Sequence, residues 1–136
     1  MKTIFVAFVF VLMVTASHRA LSKTPAADAF AQCMTRTKND RLNCGGGCGM
    51  IVQQCYDEGI ANVDKKIIKL IATMEAENAI ACVNFARNYL NEASKLERDV
   101  EKQSSSLIAW VGSELALNLA RQRLDNIILI KKSCKF

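Results

Sequence analysis

The sequence predicts an all-α, disulfide-braced helical bundle with a short N-terminal helical hairpin, one long amphipathic helix and an antiparallel C-terminal helix. Three observations predict it. Proline occurs once, at Pro25, and after Gly59 the chain holds a single glycine, Gly112. A many-stranded sandwich or barrel needs a turn every roughly ten residues, which so few turn-formers cannot supply. From Asn62 onward, apolar residues recur with the period of a helix. Six cysteines follow a segment that reads as a secretory signal.

That segment is Met1 to Ser17: Lys2 gives a positive start, Ile4 to Val14 are unbroken apolar residues, and Val14-Thr15-Ala16 or Thr15-Ala16-Ser17 offers small residues for cleavage. An apolar run of this length covers about 16 Å as helix, roughly half a bilayer core, so cleavage is expected rather than anchoring. Residues 18–136 are then expected to form one secreted domain, extracellular, or periplasmic in a bacterium. In that oxidising setting six cysteines imply three disulfides. Zinc is the rival reading of Cys44, Cys48 and Cys55. It lacks a CxxC pair, and the one histidine, His18, lies beside the cleavage site.

The first helix is expected to start at Thr24-Pro25, threonine as N-cap and proline at the first helical position, and to run to about Leu42. Gly45, Gly46, Gly47 and Gly49 then form a corner, since each glycine disfavours helix by about 1 kcal/mol relative to alanine. A short second helix, Met50 to about Asp57, is expected to be interrupted near Gly59. From Asn62 a helix of about forty residues is expected, on the order of 60 Å long. Its apolar sector holds Val63, Ile67, Leu70, Ile71, Met74, Ala81, Phe85, Tyr89, Leu96 and Val100, and Asn84, Asn88 and Asn91 lie on the wet side. The Ser104-Ser105-Ser106 run breaks it and caps a last helix from about Leu107 to Lys132.

The last helix is apolar on two sides. One carries Ile108, Val111, Leu115, Leu119 and Ile130, and the other Trp110, Leu117, Ala120, Leu124, Ile127 and Ile128. A helix of this kind is buried between neighbours. The competing reading makes Trp110, Leu117, Leu124 and Ile128 the face that lines a hydrophobic ligand or forms a homodimer.

Fifteen pairings of six cysteines are open to the sequence. An antiparallel last helix that reverses near Ser105 brings Cys134 opposite about residue 76, near enough to Cys82 to bridge after a small shift. The remaining four pair around the glycine corner. Cys33–Cys55 with Cys44–Cys48 nested inside suits a helical hairpin, and Cys33–Cys48 with Cys44–Cys55 is the rival.

Chemistry is sparse. The chain after His18 has no histidine for a nucleophile–base pair or a His-based metal site, and the glycine cluster lacks the Lys-Ser/Thr of a phosphate loop. Glu75 and Glu77 point apart on a helix, and Glu97 and Glu101 sit in a charge mosaic with Lys95, Arg98 and Lys102. No catalytic residue, metal or cofactor is expected. The net charge of +5 is dispersed without interleaved aromatic residues, so nucleic acid is not an expected partner. The expected function is non-enzymatic: a secreted protein that binds an extracellular protein partner, as an inhibitor or a host- or environment-facing factor. A carrier of a small hydrophobic ligand is the alternative, and a membrane-active helical protein the third.

Overall fold

The computed structural model describes residues 28–104, 106 and 110–134. The secretory segment, Thr24-Pro25, Ser105, Leu107 and Ile108 lie outside the described residues. Within them the chain forms five helices and no strand: α1 (Ala29–Arg36), α2 (Lys38–Asn43), α3 (Cys48–Ala76), α4 (Ile80–Ser104) and α5 (Val111–Ser133). The all-α, disulfide-braced bundle is therefore the architecture of this chain. Helices α3, α4 and α5 make the body, and the α1/α2 hairpin lies against α3.

The N-cap of α1 is Asp28, whose carboxylate accepts a hydrogen bond from the Ala31 N–H at 2.9 Å. The single first helix expected to Leu42 is two helices, parted at Thr37. The Thr37 hydroxyl donates to the Cys33 carbonyl at 2.8 Å and lies 3.7 Å from Cys55 Sγ, so this threonine is buried on the Cys33–Cys55 bridge. Serving that bridge competes with smooth helix continuation, as threonine hydroxyls bonded back to a carbonyl tend to do.

After the glycine corner, Gly47 adopts the left-handed conformation at φ 77° and starts α3. The expected interruption near Gly59 does not occur, and α3 runs through it for 29 residues. A Cβ on Gly59 would stand 3.0 Å from both Phe30 Cβ and Leu117 Cδ1. Glycine here answers to packing between α1, α3 and α5, not to a turn.

The turn falls elsewhere. The helix of about forty residues expected from Asn62 ends at Ala76, and α4 starts at Ile80. Asn78 takes the left-handed conformation at φ 55°, its N–H donates to the Glu75 carbonyl, and the Ala79 N–H donates to the Met74 carbonyl. These two bonds form a Schellman cap, in which asparagine can replace the usual glycine. The chain reverses, and Glu75 of α3 pairs with Arg87 of α4.

Reversal also resets the helical phase. Val63, Ile67 and Met74 are buried on α3, but on α4 the buried apolar residues are Val83 and Ala86, not the expected Ala81 and Phe85. Phe85 and Leu96 are left 63% and 58% exposed. The core joins Val63, Ile67 and Met74 to Val83 and Ala86 of α4 and to Ala120 and Ile127 of α5. A second cluster gathers Cys33, Cys55, Tyr56 and Leu117, with the Phe30 and Tyr56 rings 4.7 Å apart.

The serines do not cap α5, which begins after Trp110 without a side-chain cap. Ser104 and Ser106 instead donate to the Glu101 and Gln103 carbonyls at the end of α4. With α4 ending at Ser104 and α5 starting only at Val111, Cys134 comes opposite Cys82. The bridges are Cys82–Cys134, Cys33–Cys55 and Cys44–Cys48, with Cα separations of 6.2, 5.3 and 5.8 Å. All three separations lie inside the range that disulfides span.

Candidate interaction face and acidic cleft

The side of α5 that the competing reading makes a ligand or dimer face does not form a continuous free surface. Leu117 is 2% exposed, and Leu124 packs on the main core. Ile128 is half-buried, and Trp110 stands apart at the start of α5 with its ring against Gly49. These four residues serve the interior and one end of the bundle, because their side of α5 faces α3. The other apolar side of α5 turns toward α4 and the solvent: Val111 and Leu115 are exposed, and Leu119 and Ile130 are half-buried.

Three grooves run between the body helices. The α3/α5 groove is covered by α1 through the Cys33–Cys55 bridge, the Phe30–Tyr56 ring contact and the Asp28–Arg121 ion pair. Arg121 also lies 6.0 Å over the Phe30 ring. No described helix covers the α3/α4 groove or, on the opposite side of α4, the α4/α5 groove. The α4/α5 register is fixed by Cys82–Cys134, by Asn126 Nδ2 donating to the Tyr89 hydroxyl at 2.7 Å, and by Arg123 Nη1 donating to Glu97 Oε2 at 2.6 Å.

Outside that seam, Phe85 and Leu96 fall within about 20° of each other on α4, given 100° per residue. Tyr89 and Val100 lie just inward of them. On α5 the matching outward positions hold Leu115 and Leu129, the latter 60% exposed. The result is an open face along two antiparallel helices that carries these apolar side chains with Glu92 of α4 and Gln122 of α5 between them. The asparagines 84, 88 and 91 lie on the solvent side of α4, as expected.

A cleft of about 190 Å³ opens at one end of this face. Ile60 of α3, Val100 of α4 and Ala116, Leu119 and Ala120 of α5 give it apolar walls, and Glu97, Glu101 and Ser104 supply polar groups. It is smaller than the roughly 300–1,000 Å³ typical of pockets for drug-sized ligands. Its volume suits a side chain.

Arg123 stands beside the cleft and is the electrostatic hub of the bundle. Its side chain is 11% exposed and reaches both Glu97 of α4 and Asp64 of α3 at 2.6 Å. One guanidinium thus ties all three body helices, while its Nε is buried without a hydrogen-bond partner. Burial pushes the Glu97 carboxyl above the ordinary glutamate value. The Arg123 charge pulls it down, and the Asp64 carboxylate adds to the rise. Glu101 has no ion-pair partner among the described residues.

Glu97 and Glu101 were expected to be a solvated mosaic, and half of that holds: Glu101 is exposed, but Glu97 is drawn inward to Arg123. Sequence reasoning missed Arg123. Its signal was available, since residues 116, 120, 123 and 127 share helical spacing and only 123 is charged. Glu75 and Glu77 point to different cations, Arg87 of α4 and Lys131 of α5.

Comparison with protein-family models, with curated proteins and with solved structures finds no match to this chain. No described helix is long and apolar enough to cross a membrane.

Proposed function

We propose that this is a secreted, non-enzymatic interaction protein that binds an extracellular protein partner through the α4/α5 face. The observation that carries the reading is asymmetry between two grooves of one bundle. The α3/α5 groove is covered by α1, while the α4/α5 groove leaves Phe85, Leu96, Leu115 and Leu129 in solvent. Large apolar side chains gathered on one exposed face favour a partner that removes them from water. At about 25 cal/mol per Å² of apolar area, burying even one aromatic and two leucines would contribute several kcal/mol before the cost of association.

Two features favour a protein over the other ligands. The cleft is small for a lipid-like molecule, which supports a carrier function less. Its charged lining residues, Glu97 and Glu101, are acidic, which sets this end of the face against an anionic membrane surface.

The test is quantitative capture from the extracellular fluid of the source organism. Immobilised wild type is compared with a Phe85→Asp/Leu96→Asp variant and with Ile68→Asp, an exposed apolar residue on α3. Circular dichroism verifies that all three are folded. A protein retained by wild type and Ile68→Asp but lost from the double variant is the expected outcome. An identical bound set for all three would overturn the proposal. So would a wild type that dimerises and a double variant that is monomeric, because the face would then be filled by a second copy.

A further inference from the structure

We infer that the cleft between α3, α4 and α5 is a binding site for a protonated primary alkylamine. The inference builds on the α4/α5 docking reading only for where the amine comes from, since the cleft lies at one end of that face.

The lining divides by chemistry. Ile60, Val100, Ala116 and Leu119 form walls that suit methylene groups, and Ser104 with Glu97 and Glu101 forms an acceptor end. Glu97 and Glu101 are four residues apart on α4, which puts their side chains on one face about 6 Å apart. An ammonium held between them would reach both. The Ser104 hydroxyl already donates to the Glu101 carbonyl, so its lone pairs are available to a third donor.

Charge selects the sign of the ligand. Asp64 and Glu97 share one guanidinium, Arg123, and Glu101 lines the cleft beside Glu97 with no ion-pair partner among the described residues, in a chain whose net charge is +5. No basic residue lines the cleft. Glu97 gives Oε2 to Arg123, and Arg123 is itself shared with Asp64. Burial disfavours the Glu97 charge more than this shared guanidinium favours it, and an added cation would correct the imbalance.

Shape selects the class of cation. A volume of about 190 Å³ admits a four-carbon chain and a compact ammonium. A hard divalent ion would want six or more oxygen ligands, which two carboxylates and a hydroxyl do not provide. The amine has two sources with this chemistry: a lysine side chain presented by the docked partner, or a free alkylamine.

The test uses the full mature chain with its disulfides intact, labelled with nitrogen-15. Amide resonances are followed during titration with n-butylamine hydrochloride and, separately, with N-acetyl-lysine methylamide. Butanol and sodium butyrate at matched ionic strength are the controls. Saturable shifts confined to residues around Val100, Glu101, Gly112 and Ala116, with millimolar affinity, are expected for the amine and not for butanol or butyrate. Glu101→Gln leaves the Arg123–Glu97 pair in place and should weaken binding about fivefold or more, the loss expected for one ionic contact. Ala116→Leu fills the cleft and should abolish it.

Equal shifts with butanol, or an amine response unaffected by both Glu101→Gln and Ala116→Leu, would overturn the inference. Binding of the lysine amide at least as tight as butylamine assigns the partner's lysine as the source. Binding of butylamine alone keeps the site and assigns a free amine. If Phe85→Asp/Leu96→Asp leaves both protein capture and butylamine binding unchanged, the docking reading fails and the cleft stands. If butylamine fails while capture depends on that face, the reverse holds.

Discussion

Replacing Gly59 with alanine opposes helix propensity to tertiary packing at one atom. Gly59 lies in the interior of α3, and in an exposed helix the change would stabilise the protein by about 1 kcal/mol. Here the added methyl would meet Phe30 Cβ and Leu117 Cδ1, each at 3.0 Å. The leucine methyl can shift a little. Phe30 Cβ is one bond from the α1 backbone, which Cys33–Cys55 pins to α3. Overpacking of this kind typically costs 1–3 kcal/mol, so the net expectation is a loss of about 0–2 kcal/mol where propensity alone would give a gain.

Urea unfolding followed by circular dichroism measures the difference. Gly46→Ala is the control, because a Cβ there meets nothing within 4 Å and its φ is not in the left-handed region. It should be neutral or stabilising. Leu117→Ala in the Gly59→Ala background should show non-additivity, since the two sites touch. A Gly59→Ala protein about 1 kcal/mol more stable than wild type would refute the packing argument and with it the close approach of α1, α3 and α5.

Three other perturbations follow from the same structure. Removing the Cys82–Cys134 bridge, which spans 52 residues, should cost about 4 kcal/mol in urea unfolding by the loop-entropy relation, against about 2 kcal/mol for Cys44–Cys48, which spans 4; the reverse order would contradict it. At the α3/α4 turn, Asn78→Gly should leave the urea midpoint nearly unchanged, while Asn78→Val should lower stability by about 1–2 kcal/mol, because only the β-branched residue is strained at positive φ. Stability should also depend on pH in two opposed ways. Glu97, raised chiefly by burial, contributes stability that is present below the unfolded glutamate value and lost as pH rises through its higher folded value, so Glu97→Gln should flatten that limb of a pH series of urea midpoints. For Asp28, burial raises the carboxyl, but the Ala31 N–H, Arg121 and Lys66 together outweigh it and lower the net value. Its contribution is present above the unfolded aspartate value and lost as pH falls through the lower folded value, and Asp28→Asn should flatten the acid limb.

Much of this fold is legible in the amino-acid sequence, and the misreadings share one cause. Helical periodicity, scarce turn-formers and six cysteines are local properties, and they determine an all-α protein with a cysteine-braced glycine corner and an antiparallel last helix. Chain reversal brings the four corner cysteines together, but the choice of the nested pairing over its rival is made by the tertiary structure. The two misplaced breaks are tertiary matters as well. Glycine at 59 reads as a turn signal locally, yet it sits inside a helix because Phe30 and Leu117 need the space. Asparagine at 78 falls inside the stretch expected to be one long helix, yet it forms the cap that divides it.

The site was hidden by the same displacement. With one continuous helix, Phe85 and Leu96 extend the buried sector of Val63 and Ile67. The turn at Asn78 restarts the phase, so they emerge beside α5 on an open face, while Leu117 and Leu124 of α5 go to the interior. Arg123 takes its role from two carboxylates, at residues 64 and 97, that only packing brings together. The sequence by itself determined which segments are helical and which cysteines could meet, because backbone propensity and chain connectivity are set over short spans. The tertiary structure decided which faces are core and which are open, because burial depends on the rotation and register of helices far apart in the chain.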